Sequence, residues 1–347
     1  MGGATIRDVA RLAQVSIGTV SNYLNDTKQI GPETRKRIDD AVSALAFVPN
    51  RASQVMRGAA SKVIGLIIPD IANPFYTELA RGVEDAALEA GHVVVMCNTN
   101  GAPEREARYL RAMHEMRATG VLVSLSQVGH KQVQALRQAG IAVVLLDHRR
   151  RFADISAVTS DDTLGGRLAM SHLLELGHLD VLFVGGPEGE GPVEDRFAGA
   201  LLAVESAGLA PSVLRRINTP GPTLSDRTAV GDAILEGATM PGAIFCAYDT
   251  IALAVQATLA RQGVIAPRDV SIVGYDDLEA ARLAPVPLTS VSQPKYEQGF
   301  EAARILLAEA RQPVEEWKEV IYSPRLMIRE STGSPRQTAR ARTTSSS

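Results

Sequence analysis

The residues of this chain best placed to do chemistry are polar side chains standing just after short apolar runs. Asp70 and Asn73 follow Val63 to Ile68, Asp147 and Arg149 follow Ile141 to Leu146, Asp249 follows Ala243 to Cys246, and Asp276 follows Ser271 to Gly274. If those runs are parallel strands, the polar residues lie at strand C-termini, where open α/β sheets bind ligands. Carboxylates accept hydrogen bonds from hydroxyl groups and arginine donates to them, so such a set suits a neutral polyol. Phe75 and Tyr248 add aromatic faces that could cover an apolar ring face or stack on a nucleobase. A capping role competes at each position, because Asp or Asn before a helix accepts from its first-turn N–H groups. Asp249, directly before Thr250 to Gln262, reads as a cap rather than a ligand. Catalytic signatures are missing: no Gly-x-Gly-x-x-Gly follows an apolar run, no phosphate loop or nucleophile elbow is present, and the six histidines have no metal-ligand spacing. Neither an enzyme nor a bound metal or cofactor is expected.

A second polar group lies near the N-terminus. Thr5 and Asp8 form a capping box before the stripe Ile6, Val9, Ala10 and Ala13, which predicts a short helix. Gln14-Val15 makes a tight connection, and Ser16 caps a second helix, Ile17 to Leu24, whose inner side is Val20 and Leu24. Gly31-Pro32 opens a third, with Ile38, Ala41, Val42 and Leu45 inward, and Phe47-Val48-Pro49 ends it. This is a helix-turn-helix pattern. The second helix of such a unit lies in the major groove of DNA, with its N-terminal side chains at base edges. Ile17, Gly18 and Asn22 stand there: Ile17 suits a thymine methyl, Asn22 an adenine edge, and Gly18 offers no side chain.

These residues need a scaffold, and the rest of the chain supplies a regular one. Val63 to Ile68, Val93 to Cys97, Gly120 to Ser124 and Ile141 to Leu146 read as buried strands, alternating with helices over Tyr76 to Glu89, Glu104 to Arg117 and His130 to Ala139. The alternation then repeats through helix Leu164 to Leu176, strand Val181 to Val184, helices Val193 to Ala207 and Asp226 to Leu235, strand Ala243 to Cys246, helix Thr250 to Gln262 and strand Ser271 to Gly274. Helix Tyr296 to Ala310 and strands Val320 to Ser323 and Arg325 to Ile328 complete it. The fold class is α/β: a helix-turn-helix head followed by two lobes built on parallel sheets.

Composition agrees. The 347 residues suit two or three domains, and 45% apolar with 22% charged residues is ordinary for a globular protein. Cys97 and Cys246 are expected to be reduced core thiols. No apolar run approaches the roughly 20 residues of a membrane span. Because Gly2-Gly3-Ala4-Thr5 does not lead into an apolar stretch, a cytoplasmic protein is expected. The net charge of −3 divides unevenly, as +4 over residues 1–62, −10 over 63–330 and +3 over 331–347. A basic head on an acidic body favours nucleic acid at one end only.

The segments Thr5-Ile6-Arg7-Asp8-Val9-Ala10, Val15-Ser16, Thr19-Val20-Ser21, Leu24-Asn25, Thr34-Arg35 and Pro49-Asn50-Arg51-Ala52 resemble the lactose/galactose repressor (LacI/GalR) family, and the likeness runs to about residue 330. The resemblance implies a DNA-binding domain over 1–49 and a hinge over 50–61. A two-lobed body like the periplasmic sugar-binding proteins follows over 62–330, with lobe 1 about 62–160 plus 291–322 and lobe 2 about 161–290 plus 323–330. Residues 331–347 read as a disordered tail without apolar heptads, so a homodimer rather than a tetramer is implied. The implied DNA contacts are Thr5, Ser16, Ile17, Gly18, Thr19, Ser21, Asn22, Asn25 and, in the hinge, Asn50, Met56 and Arg57. Met56 stands where the family usually has a leucine wedge for the minor groove, and Asn22 where many members have Arg or His.

In the body, Asp195-Arg196-Phe197-Ala198-Gly199 matches an Arg-x-x-Gly element whose arginine grips the effector, and Gly274-Tyr275-Asp276-Asp277 reproduces another family motif. Ala247-Tyr248-Asp249 departs from the usual Ala-Asn-Asp, exchanging an amide for an aromatic surface. With Asp161 at the first crossing between lobes, the implied effector contacts are Asp70, Asn73, Phe75, Asp147, Arg149, Asp161, Arg196, Tyr248, Asp249 and Asp276. The implied function is a transcriptional regulator, a repressor, whose affinity for a pseudo-palindromic operator is set by a small molecule, a sugar or sugar derivative. A nucleobase effector is the alternative. A sugar-binding transport component would suit the body alone, but not the head.

Overall fold

The computed structural model describes residues 4–25, 28–47, 61–124, 130–146, 154–186, 191–221, 223–312 and 316–335. The chain divides into two compact units, 1–61 and 62–347.

The first unit holds helices α1 (Ile6–Leu12), α2 (Ile17–Asn25) and α3 (Pro32–Ala44). Thr5 donates to Asp8 from its backbone N (3.0 Å) and its hydroxyl (2.6 Å), which fixes the entry to α1. The turn to α2 passes through Gln14 in the left-handed region, φ 54°. The Ser16 hydroxyl then accepts from the backbone N of Thr19 at 3.0 Å. Val9, Ala10, Ala13, Val20, Ile38 and Ala41 form the small core.

The second unit runs β1 (Val63–Ile68), α4 (Pro74–Glu89), β2 (Val93–Asn98), α5 (Pro103–Glu115), β3 (Gly120–Val123), α6 (His130–Gln138), β4 (Ala142–Leu146) and β5 (Ser156–Ser160). It continues with α7 (Asp162–Glu175), β6 (Val181–Gly185), α8 (Gly191–Ser206), β7 (Leu214–Asn218), α9 (Leu224–Glu236), β8 (Ala243–Cys246), α10 (Asp249–Arg261) and β9 (Ser271–Asp276). The last elements are α11 (Glu279–Arg282), β10 (Thr289–Ser292), α12 (Lys295–Arg311), β11 (Glu319–Tyr322) and β12 (Arg325–Met327). Two six-stranded sheets result, in the orders β11-β5-β4-β3-β1-β2 and β12-β10-β9-β8-β6-β7. All pairings are parallel except β10 with β12. The chain crosses from one sheet to the other between β5 and α7, between β10 and α12, and between β11 and β12.

Apolar runs such as Val63–Ile68 make central strands because both faces are covered by helices. Three strands lack that signature. β5 and β10 are rich in Ser and Thr yet buried, because their hydroxyls find partners: Ser156 donates to Glu309 (2.5 Å), Ser160 accepts from Gln298 (2.5 Å) and Ser290 donates to Asp249 (2.7 Å). β7 lies at a sheet edge and turns Arg215 and Arg216 outward onto Asp180 and Glu194.

Ordered packing also continues past residue 330, where composition alone suggests a loose tail. Ser331 is fully buried, donating to the carbonyl of Ile272 (2.6 Å) and accepting from the N–H of Thr289 (2.8 Å). Thr332 and Gly333 then meet the rings of His172 and His178 at 3.0 and 2.8 Å. Both histidines are pushed below their ordinary pKa, chiefly by burial.

Candidate functional site

On the head, the start of α2 presents a small, open surface. Ile17 is 47% exposed and so is available to a partner at the helix start. A Cβ built on Gly18 would meet nothing closer than the Ser16 hydroxyl at 3.6 Å, so packing does not require glycine there. Ser16 and Thr19 share a side-chain hydrogen bond of 2.8 Å at the helix start, while Ser21 and Asn22 are half-buried along the next turn. Asn25 ends the helix. Asn50, Met56 and Arg57 fall outside the described residues, as do Asp147 and Arg149 of the body.

In the body, helices α7 and α8 build the polar centre by packing backbone to backbone. A Cβ on Gly166 would stand 1.9 Å from the carbonyl oxygen of Arg196, and one on Gly199 would stand 1.9 Å from that of Thr163. This close approach carries Arg196 against Asp162, 34 positions away in sequence. Arg196 Nε donates to Asp162 Oδ1 at 2.8 Å and Nη1 to the carbonyl of Ala247 at 2.6 Å. The guanidinium carbon lies 3.6 Å from the ring centre of Tyr275 and 5.0 Å from that of Tyr248. Burial by itself pulls its pKa down, but the groups around it, Asp162 first, outweigh that and hold it well above its usual value. Asp162 escapes a motif-by-motif reading of the sequence, because its contact with Arg196 has no local signal; Tyr275 stood inside a recognised motif but was not among the expected site residues.

Asp276 closes the group. It sits at the end of β9 with φ 107°, and Asp277 follows at φ 50°, two left-handed non-glycine residues in succession. Such backbone costs of order 1–3 kcal/mol per residue and persists where surrounding contacts dictate it. Here Gln293 Nε2 donates to Asp276 Oδ1 (2.9 Å), and Lys295 Nζ donates to its carbonyl (2.6 Å). Asp276 Oδ2 is buried without a hydrogen-bond partner among the described residues. Burial pushes this carboxyl up to about 6, against the pull of Arg196 and Lys295.

The remaining positions separate into different roles. Asp249 does not cap its own helix, contrary to the sequence expectation. Tyr248 occupies the cap position, and Asp249, fully buried, accepts instead from Leu278 N (2.8 Å) and Ser290 Oγ (2.7 Å), with its pKa raised to about 8 by burial and by the charge of Asp276. Asn73 and Asp161 do cap: their Oδ1 atoms accept from Phe75 N and Leu164 N, each at 3.0 Å. Phe75 is 4% exposed and belongs to the hydrophobic core, so it lines no open surface. Asp70 reaches across to the other lobe, where Arg227 meets it at 3.2 Å. Arg196, Tyr248 and Asp276 are therefore brought together, joined by Asp162, Tyr275 and Gln293. No cluster of metal-ligating side chains occurs among the described residues.

Residues 5–50 match the family of bacterial regulatory proteins, lacI family, and residues 170–332 match a periplasmic binding protein-like domain. The Ribose operon repressor of Halalkalibacterium halodurans is 34% identical over 329 residues, 94% of this chain and 97% of that protein. The chain belongs to the LacI family. Another relative of this LacI family chain is the HTH-type transcriptional repressor PurR of Vibrio atlanticus, 32% identical over 306 residues, 88% of this chain and 91% of that one. The structure of a LacI family transcriptional regulator from Enterococcus faecium with bound ribose is 28% identical with a TM-score of 0.73, covering 79% of this chain and 100% of that chain. As a LacI family member the protein is a DNA-binding transcriptional regulator.

Proposed function

We propose that the protein is a repressor that binds a pseudo-palindromic operator as a homodimer, in the cytoplasm, under the control of a carbohydrate held between the lobes. The observation that carries the carbohydrate is Asp276 Oδ2, a buried acceptor without a partner among the described residues, near the buried Arg196. Buried polar atoms are normally satisfied, and a sugar hydroxyl donates to a carboxylate while accepting from guanidinium. The half-buried Tyr248 ring near Arg196 adds apolar surface of the kind a pyranose or furanose face covers, whereas Tyr275 is fully buried beneath the guanidinium. A nucleobase is less well served, since Phe75, one of the two candidate stacking faces, is in the core. The ribose named for one relative and bound in one similar structure supports a sugar of that size.

For the dimer, strand β2 is a free sheet edge whose Val93 and Met96 are exposed next to exposed Leu88. Leu224 and Leu283 are exposed on the other lobe. Apolar residues and an open edge of this kind are what a second copy would cover. Two heads on one operator give a steep salt dependence of affinity. Titrating operator-length duplex at several salt concentrations should show it, together with resistance to competitor DNA; weak, salt-independent binding overturns the reading. In parallel, pentoses, hexoses and nucleobases are screened by thermal shift. A sugar that raises the melting temperature and changes operator affinity supports the proposal, and a response to nucleobases alone replaces the effector.

A further inference from the structure

On the side where the chain passes between the lobes there is a second concavity, of about 800 Å³, lined by neither Arg196 nor Asp276 but adjoining their centre through Gln293 and Lys295. Its charged lining is four cations, Arg81, Arg282, Lys295 and Arg325, against two carboxylates, Glu78 and Glu297. Internal pairing leaves a surplus of positive charge. Lys295 engages Glu78 at 3.2 Å, and Arg282 engages Asp277, which also serves Arg329. Arg81 and Arg325 make no ion pair among the described residues. Helix α12, 17 residues long, begins at this cavity with Pro294 as a cap that supplies no side-chain hydrogen bond. Its positive end therefore adds to the field of the arginines.

The geometry points to a second ligand site here, for a small phosphate-bearing organic anion of sugar-phosphate size, bound between Arg81 and Arg325 at the crossings of the lobes. The volume lies in the range of small-molecule sites, and a concave pocket suits a compact anion where a duplex would need an extended basic track. A neutral sugar would leave the arginines unused. Phosphate takes the planar donor fork of arginine in two parallel hydrogen bonds.

The position also predicts what binding would do. Arg81 belongs to lobe 1 and Arg325 to lobe 2, and the crossing residues Gln293, Pro294 and Ser323 line the cavity between them. Gln293 and Lys295 are shared with the polar centre through their bonds to Asp276. An anion drawing the two arginines together biases the lobe arrangement, and linkage requires that it change operator affinity reciprocally.

The test is calorimetric titration of the full chain, without DNA, using a hexose phosphate, inorganic phosphate and the free hexose as probes. A saturable hexose phosphate isotherm is expected, with affinity about tenfold above that for inorganic phosphate, the free hexose not competing. Arg81→Gln/Arg325→Gln, at two exposed positions, should weaken hexose phosphate by about tenfold or more while leaving the ligand-free melting temperature unchanged. Equal binding by the double variant assigns the phosphate to the basic head or to the sugar site and overturns the proposal, as does no saturable binding. A second arm measures operator affinity with and without hexose phosphate. The expected change is about 5-fold or more in the wild type and none in the double variant; binding without that change refutes the coupling. Because the first arm uses neither DNA nor a neutral effector, its failure leaves the repressor reading untouched.

Discussion

Replacing Arg196 by alanine should unsettle the fold before it reports on effector binding. Asp162, 6% exposed at its side chain, would be left as a buried carboxylate without its cation. Breaking one partner of a buried pair costs about 3–5 kcal/mol, because the remaining charge is uncompensated. The stacking on Tyr275 at 3.6 Å and the bond to the Ala247 carbonyl are lost in the same step. A loss of about 4 kcal/mol, with a urea slope of about 2.5 kcal/mol/M, lowers the unfolding midpoint by about 1.6 M. The assay is urea unfolding of wild type, Arg196→Ala, Asp162→Ala and the double variant, read as a cycle. If the pair acts as argued, the double variant should be less damaged than the sum of the single changes by about 2 kcal/mol or more. Single-variant costs below about 1 kcal/mol, or additivity within about 0.5 kcal/mol, would show that Arg196 and Asp162 do not stabilise the fold as a pair.

Three further outcomes are expected. Asp249 holds its proton in the fold up to about pH 8 but loses it near 3.8 when unfolded, so its contribution is complete below pH 3.8 and declines as pH rises through 8. Asp249→Asn should remove that slope, and parallel stability profiles of variant and wild type at pH 5, 7 and 9 would contradict it. Gly166→Ala places a methyl 1.9 Å from the Arg196 carbonyl and should cost about 1–3 kcal/mol, seen as a melting temperature lower by several degrees; an unchanged value would mean α7 and α8 can part. Asn22→Ala should relax preference at one symmetric operator position while non-specific affinity holds; uniform weakening across operator variants would make Asn22 a phosphate contact.

Central strands and amphipathic helices were legible because each is specified by its own residues. Val63–Ile68 is apolar throughout, and α4 carries Phe75, Leu79 and Val83 on one buried side behind the Asn73 cap. The polar strands Ser156–Ser160 and Thr289–Ser292 were not, since their burial depends on Glu309, Gln298 and Asp249, partners far off in sequence. Among the site residues, Arg196 and Asp276 announced themselves as motifs. Asp162 and Gln293 did not, and Asp249 and Phe75 changed role.

The helix-turn-helix head, the doubled βα pattern and the family were all readable from the residues in order, because periodicity, caps and contiguous motifs are local properties of the chain. Which polar residues share a centre, and which merely cap or fill, depends on how distant segments pack. Arg196 meets Asp162 because glycines let two helices touch, and Asp276 is left with an unpartnered oxygen because strands, crossings and Lys295 hold its backbone in an otherwise unfavourable conformation. Pairing across 34 residues, desolvation and the surplus charge of a cavity depend on distances between segments, and a linear sequence does not carry them.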